Sequence, residues 1–356
     1  MNRRVSDQSP VGKETMTVAK IPLVSVIIPT YNSGRFIAQA VQCVLDQTYR
    51  QFEIIVIDDG STDTTKDVLR EFNGHIRYFH QENRGPSAAR NAGIAVARGD
   101  YICFLDADDI WMPNKIETQL AFITQHDDIG LVFSDEAEVA LDTGLHRSIL
   151  TTTIFRSDIV SQIPMQDAFK KLLIENFIPT SMVMARKQCF VKAGWFDESL
   201  RVVEDRDMWL RIAAYFKIAC VPVILGKKRV HESNISKGTE LTFRSRIDVW
   251  GNVRRQFPGL APAAIVNNLM ADAYLQLGYL LLTKGQRQDA RRAALKSLSH
   301  ASRAVFMRTS LHTFLPSYRW FLVVWLLLFT FMSRPMTQLL WRAKNAILKR
   351  KIQPAR

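Results

Sequence analysis

From residue 23 to residue 134 short apolar runs alternate with helix-patterned segments, and this alternation constrains the fold more than any other feature of the chain. The apolar runs are Leu23–Pro29, Glu53–Asp58, Ile76–His80, Tyr101–Leu105 and Ile129–Ser134. Helical patterns fall at about 34–47, 64–72, 86–97 and 113–125. They are introduced by Ser33, Asp63, Pro86 and Pro113, residue types that cap or open helices. Strands that are apolar throughout, joined by helices, predict an α/β fold: a mostly parallel sheet with helices on both faces. Such sheets bind ligands in the crevice outside the carboxyl ends of their strands.

Each of the first four strands ends in a polar cluster, so four clusters converge on that crevice: Pro29-Thr30-Tyr31-Asn32, Asp58-Asp59-Gly60-Ser61, Glu82-Asn83-Arg84-Gly85 and Asp106-Ala107-Asp108-Asp109. No GxGxxG follows the first strand and no GxxxxGK[ST] occurs anywhere, which removes the main support for dinucleotide and P-loop readings. Asp106, Asp108 and Asp109 set three carboxylates within four residues, and these repel one another unless a cation or water screens them. A hard divalent ion, Mg2+ or Mn2+, shared with a diphosphate fits an oxygen-only site that keeps open positions. An acidic turn capping the next helix is the alternative, and Asp58-Asp59 at a neighbouring strand end favours the metal. Downstream, Glu204-Asp205-Arg206-Asp207 precedes the helix-periodic Met208, Trp209 and Ile212, and its acids can serve either chemistry or the helix dipole. His231, flanked by polar residues, is either a structural histidine or a nitrogen that meets a metal or phosphate.

The rest of the chain reads less sharply. Residues 135–175 suggest a variable loop with a helix near 165–175. An apolar stretch at Ile178–Ala185, a helical pattern at about 205–216 and a strand at Ile218–Ile224 follow. From about 240 the pattern is all-helical, and Ala271–Leu298 reads as a helical hairpin or a single tetratricopeptide-like unit, although such repeats need about three copies for independent stability. The first twenty residues are polar, lack the apolar core of a secretory signal and are expected to form a disordered leader.

The net charge of +13 is unevenly placed. Residues 284–356 hold 15 Lys and Arg and a single acid, Asp289, whereas the preceding chain is nearly neutral. The basic excess lies beside the apolar Trp320–Met332, a pairing that suits an anionic membrane surface better than nucleic acid. At thirteen residues this run is shorter than the roughly 20 needed to span a bilayer. An interfacial helix, a buried helix and a span all stay open. The four cysteines, Cys43, Cys103, Cys189 and Cys220, form no CxxC pair and read as packed free thiols in a reducing compartment.

Taken together and in order, several segments resemble family 2 glycosyltransferases. They are Val24-Ser25-Val26-Ile27-Ile28-Pro29-Thr30-Tyr31-Asn32, Val56-Ile57-Asp58-Asp59-Gly60-Ser61-Thr62-Asp63, Asn83-Arg84-Gly85-Pro86 with Ala89-Arg90-Asn91-Ala92-Gly93, and Leu105-Asp106-Ala107-Asp108-Asp109. Gly194-Trp195-Phe196-Asp197, Glu204-Asp205 and Arg229-x-His231-x-x-Asn234-x-Ser236 continue the resemblance, which covers about 22–240. It implies a Rossmann-like A-type glycosyltransferase fold over 21–240, followed by a helical region (241–310) and an apolar, basic segment (311–356). It also implies a nucleotide-diphosphate sugar donor, a divalent metal and inversion at the anomeric carbon. By the same resemblance, Pro29, Thr30 and Tyr31 would line the base, Tyr31 by stacking, while Asp59 would accept from its ring NH and Asp58 would orient the turn. Arg84 would lie near the nucleotide or diphosphate, and Asp108 near the ribose or metal. Asp109 would be the main metal ligand, with His231 approaching metal or diphosphate, and Asp205 would be the catalytic base. Asn83, Arg90, Asp106 and Glu204 belong to the same candidate set.

The chemistry agrees with these implied roles. A departing nucleoside diphosphate builds negative charge that a metal stabilises as a Lewis acid. An acceptor hydroxyl ionises far above pH 7, so a carboxylate must take its proton during attack. The expectation is a metal-dependent inverting glycosyltransferase of the hexosyltransferase class. It would be peripheral on the cytoplasmic face of the membrane and would use a UDP-sugar on a saccharide or lipid-linked acceptor. A catalytically idle scaffold of the same fold, binding partners through its helical tail, is the alternative, and a donor-hydrolysis assay separates the two. A nucleic-acid binder would need aromatic or Arg readout along a groove, whereas the aromatic residues cluster in the apolar run.

Overall fold

The computed structural model describes residues 21–140, 146–230 and 239–300. In chain order its elements are β1 (Val24–Thr30), α1 (Ile37–Leu45), β2 (Phe52–Asp58), α2 (Thr65–Leu69), β3 (Arg77–His80), α3 (Pro86–Val96), β4 (Tyr101–Phe104) and β5 (Ile110–Trp111). Next come α4 (Lys115–Thr124), β6 (Ile129–Ala140), β7 (His146–Ser148), α5 (Arg156–Ser161), α6 (Ala168–Ile174), β8 (Val183–Arg186), α7 (Lys187–Ala193), α8 (Glu204–Ala213) and β9 (Lys217–Val230). Three helices close the described chain: α9 (Glu240–Gln256), α10 (Ala263–Thr283) and α11 (Arg287–His300).

Among the described residues the strands form one sheet in the order β3-β2-β1-β4-β8-β6-β9-β5, with β7 paired to β6. Strands β3, β2, β1 and β4 run parallel, as the strand–helix alternation predicts. The sheet as a whole is mixed. β8 enters antiparallel between β4 and β6, and β6 then pairs parallel with β9. β6 also runs six residues beyond the expected end at Ser134, and the segment after it holds β7 and α5 as well as the expected helix α6.

Strand alternation divides the interior into two cores. Ile27, Ile55, Ile57, Ile102 and Phe104 pack with Ala89 and Ile94 of α3, Leu172 of α6 and Met208 and Trp209 of α8. Val24, Val26, Ile28, Ile54, Val56 and Cys103 pack on the other face with Val41 and Val44 of α1 and Ile116 of α4. Helix α3 lies unusually close to β1 because Gly93 has no side chain: a Cβ there would sit 2.4 Å from Ile27 Cγ2. All four cysteines are buried and free.

The C-terminal helices are built onto this body. A reciprocal pair of hydrogen bonds between Thr239 and Thr242 caps α9, whose Val249, Trp250 and Val253 enter the first core. Helices α10 and α11 form the expected hairpin around Leu277, Leu281, Ala290 and Ala294, turning at Gly285 with φ +81°. No helix among the described residues is long and apolar enough to cross a membrane. Trp320–Met332, the leader and His231 lie outside the described residues.

Candidate active site

The carboxyl ends of β1 and β2 form one wall of the crevice. Pro29 is half-buried, Thr30 is buried with its Oγ1 unpartnered, and the Tyr31 ring is half exposed. Two adjacent aspartates at the end of β2 have different work. Asp58 is fully buried and accepts from Ser61 N at 2.8 Å and from the Tyr78 hydroxyl at 2.8 Å, so it fixes the turn from below. Asp59 faces the third cluster. Its Oδ1 accepts from Gln81 Nε2 (2.7 Å) and Arg84 N (2.9 Å), and its Oδ2 from Gly85 N (2.7 Å). Both oxygens thus clamp the Asn83–Gly85 loop, a role the sequence did not reveal.

That loop sets the start of α3. Gly85 has φ +92°, in the left-handed region open to glycine, and Pro86 opens the helix. The Arg84 guanidinium is exposed and pairs with Glu198 at 2.5 Å, while Asn83 Oδ1 accepts from Arg201 at 3.1 Å. One turn on, Asn91 ties the Gly194-Trp195-Phe196-Asp197 turn to α3. Its side chain donates to Phe196 O (2.9 Å) and accepts from Phe196 N (2.9 Å).

Arg90 joins the two acidic regions. The side chain is buried over the Phe196 ring, with Nη1 donating to Glu204 Oε1 (2.7 Å) and Nη2 to Asp106 Oδ1 (2.8 Å). One guanidinium therefore ties the end of β4, 16 residues from Arg90, to the first turn of α8, 114 residues from it. Burial alone would discourage the Arg90 charge, but Asp106 and Glu204 together raise its proton affinity above the ordinary value. Burial pushes Glu204 up to about 7, opposed by Arg90 and reinforced by Asp205. Val203, immediately before α8, has φ +67°, a strained conformation for a β-branched residue that only a firmly held turn sustains.

The same turn carries Asp205, which is half-buried and accepts from Asn176 Nδ2 at 2.9 Å. Its neighbours are committed elsewhere. Arg206 donates to Leu172 O and Leu173 O and lies over Trp250, and Asp207 accepts two bonds from Arg211. Of the three acids in this turn, Asp205 alone bonds neither an arginine nor a lysine side chain. Arg90→Met is expected to lower the unfolding free energy by about 3–5 kcal/mol, because it strands the Glu204 carboxylate in the core. Urea denaturation reads this directly, and adding Glu204→Gln should restore part of the loss. A single variant as stable as wild type would show that the pair holds nothing together.

Beyond Arg90 lies the acidic run. Asp109 is buried and its Oδ2 accepts from Ser181 Oγ at 2.6 Å. Burial first, then the charges of Glu136, Asp106 and Asp108, push its carboxyl well above the ordinary range, against the Ser181 hydrogen bond. Asp108 is half-buried. Arg229, on β9, acts on Asp108 and Asp109 while its side chain reaches Gln39 and the Phe36 ring. Among the described residues no group of three or more His, Cys, Asp or Glu is placed to hold a metal ion unaided. Sequence reading missed Ser181, Asn176 and Glu136. Ser181 lies within an apolar stretch and Glu136 beyond the expected end of its strand, so neither had a local signal.

The profile described as Glycosyl transferase family 2 matches residues 25–187. An uncharacterized glycosyltransferase of Rickettsia prowazekii is 30% identical over 229 residues, taking in 64% of this chain and 70% of that protein. One of Rickettsia felis is 33% identical over 218 residues, 61% of this chain, but the chain spans only 35% of that longer relative. A Bacillus subtilis glycosyltransferase named for teichuronic acid biosynthesis is 43% identical over 109 residues, 29% of this chain and 43% of that protein. In fold, the chain matches S. aureus TarS 1-349 in complex with UDP-GlcNAc, with a TM-score of 0.61 and 17% identity, over 85% of this chain and 89% of that one. It also matches the Pyrobaculum calidifontis mannosyltransferase in complex with GDP-Man and Mn2+, with a TM-score of 0.54 and 18% identity, over 87% and 86%. Motif order, sheet topology and these matches agree that the chain belongs to glycosyl transferase family 2 and has the A-type glycosyltransferase fold.

Proposed function

We propose that the protein transfers a sugar from a UDP-sugar to a saccharide or lipid-linked acceptor of a cell-surface polysaccharide, with inversion at the anomeric carbon. The observation that carries this reading is the Arg90 bridge, which sets the acidic end of β4 beside the turn that presents Asp205. A single displacement needs one base opposite the leaving group, and Asp205 supplies a carboxylate not already committed to a cationic side chain. Asn176 donates to its Oδ2 and the Arg206 backbone N to its Oδ1, which orients the carboxylate, and each oxygen keeps a lone pair for an acceptor hydroxyl. On the donor side, Tyr31 offers an exposed ring for the base, and Asp59 shapes the loop whose Arg84 would leave Glu198 for the diphosphate.

The acidic run fits a divalent cation. Asp109 is a buried carboxylate crowded by like charges, and the acids around it offer oxygen ligands, which suits Mg2+ or Mn2+. Asp109 and Asp108 would hold the ion, with His231 approaching it. When bound, it would act as a Lewis acid on the leaving diphosphate. The UDP-GlcNAc and Mn2+ complexes among the structural neighbours support a nucleotide-sugar donor and a metal, and the teichuronic acid relative supports a polysaccharide acceptor. The basic excess beyond residue 283 supports a position at a membrane surface. A thermal-protection screen of nucleotide-sugars with Mn2+ tests the donor. UDP-sugars should raise the melting temperature more than GDP-sugars or free sugars, and protection by none of them would overturn the reading.

A further inference from the structure

We propose that Glu136 and Lys228 belong to the cation site: Glu136 as a further carboxylate facing the ion held by Asp109, and Lys228 as the resident countercharge that the ion displaces. The inference rests on the metal reading above and adds two residues to it.

The first observation is geometric. β6 and β9 pair over their whole length, but the register shifts between Ser134 and Asp135 and again between Asp135 and Glu136. Bulges re-aim side chains and recur beside active sites. Here the extra residues lie on β9, opposite two neighbouring acids of β6 whose surroundings differ. Asp135 is satisfied by Ser148 Oγ at 2.5 Å, Leu150 N at 3.1 Å and Glu136 N at 2.9 Å. Glu136 is 1% exposed, and neither of its carboxylate oxygens has a partner. A buried carboxyl with both oxygens empty is costly, and native proteins keep such a group where something absent from the protein alone satisfies it.

The second observation concerns what surrounds it. Glu136 is the charge that acts most strongly on Asp109, and Lys228 is the charge that acts most strongly on Glu136. The Lys228 ammonium also feels Asp109, Asp106 and Glu138, and these acids raise its proton affinity against the burial that lowers it. Asp106 already has Arg90. Asp109 and Glu136 therefore share Lys228, while Arg229 acts on Asp109 and Asp108 and not on Glu136 among its main neighbours. A divalent cation would supply the charge these two buried acids lack. Mg2+-type sites commonly use one or two carboxylates plus the phosphates of the substrate and keep several waters, so Glu136 would face the ion through such a water and not as a third direct ligand.

Electron paramagnetic resonance of free Mn2+ tests this on the full chain, with Mn2+ alone and with Mn2+ plus UDP. Glu136→Gln should weaken Mn2+ binding in the presence of UDP by about 10-fold or more, while UDP binding in EDTA stays unchanged. Lys228→Met should tighten the binding of Mn2+ alone by about 10-fold, since the competing ammonium is gone. Wild-type protein that binds no Mn2+ with UDP would overturn the metal reading itself. Wild-type binding matched by both variants would overturn this inference and leave that reading standing. Should Glu136→Gln fail to fold, Lys228→Met decides alone: tighter Mn2+ binding supports the proposal and unchanged binding refutes it.

Discussion

Asp205→Asn is expected to lower sugar transfer by about 10²–10⁴-fold, the usual weight of a general base, while UDP and Mn2+ bind as in wild type. The amide keeps the size of the side chain and can still face Asn176, but it cannot take the acceptor proton. The loss should therefore fall in kcat rather than in donor KM. Steady-state kinetics with a donor that protects the fold will read it. The neighbouring acids give informative controls because their partners differ. Asp207→Asn disturbs only the bonds from Arg211, and its effect should be on stability. Glu204→Gln weakens the grip of Arg90 and should act mildly on both stability and rate. An active Asp205→Asn beside a dead Glu204→Gln would move the base one residue along.

Asp109→Ala is expected to abolish the Mn2+-dependent part of UDP affinity, a loss on the order of 100-fold, at or above the upper end of what losing a ligand-orienting residue costs. Calorimetric titration of UDP with Mn2+ and with EDTA reads the difference. Stability should move the other way. Asp109 is a buried acid crowded by Glu136, Asp106 and Asp108, so removing it relieves repulsion, and the melting temperature should hold or rise. A variant that unfolds, or that keeps wild-type Mn2+-linked affinity, would show that Asp109 is structural.

How much of this was legible in the sequence follows from which interactions are local. β1, β2, β3 and β4 and the helices between them could be read because apolar strands, helical periodicity and Pro86 are signals carried within a few residues, although neither Ser33 nor Asp63 supplies a side-chain cap at the N-cap position of its helix. The antiparallel entry of β8 could not. Three apolar residues and Arg186 do not declare a direction, and only pairing to β4 and β6 fixes their sense. Adjacent aspartates at the end of β2 announced a polar strand end. Which one is buried against Tyr78 and which clamps Gly85 depends on a strand and a loop 20 and 26 residues away. The Arg90–Glu204 bridge spans 114 residues and left no spacing to recognise. Glu136 was missed because β6 runs on past Ser134, and its acidic neighbour Asp109 is 27 residues away in the chain.

The most direct test of the proposed single displacement is the configuration of the sugar at first turnover. Proton NMR of full-length protein with α-linked UDP-GlcNAc and Mn2+, sampled before mutarotation, should show UDP release with the β-anomer appearing first. Both signals should be lost in Asp205→Asn. Release of the α-anomer, or β-anomer release undiminished in Asp205→Asn, would contradict the account.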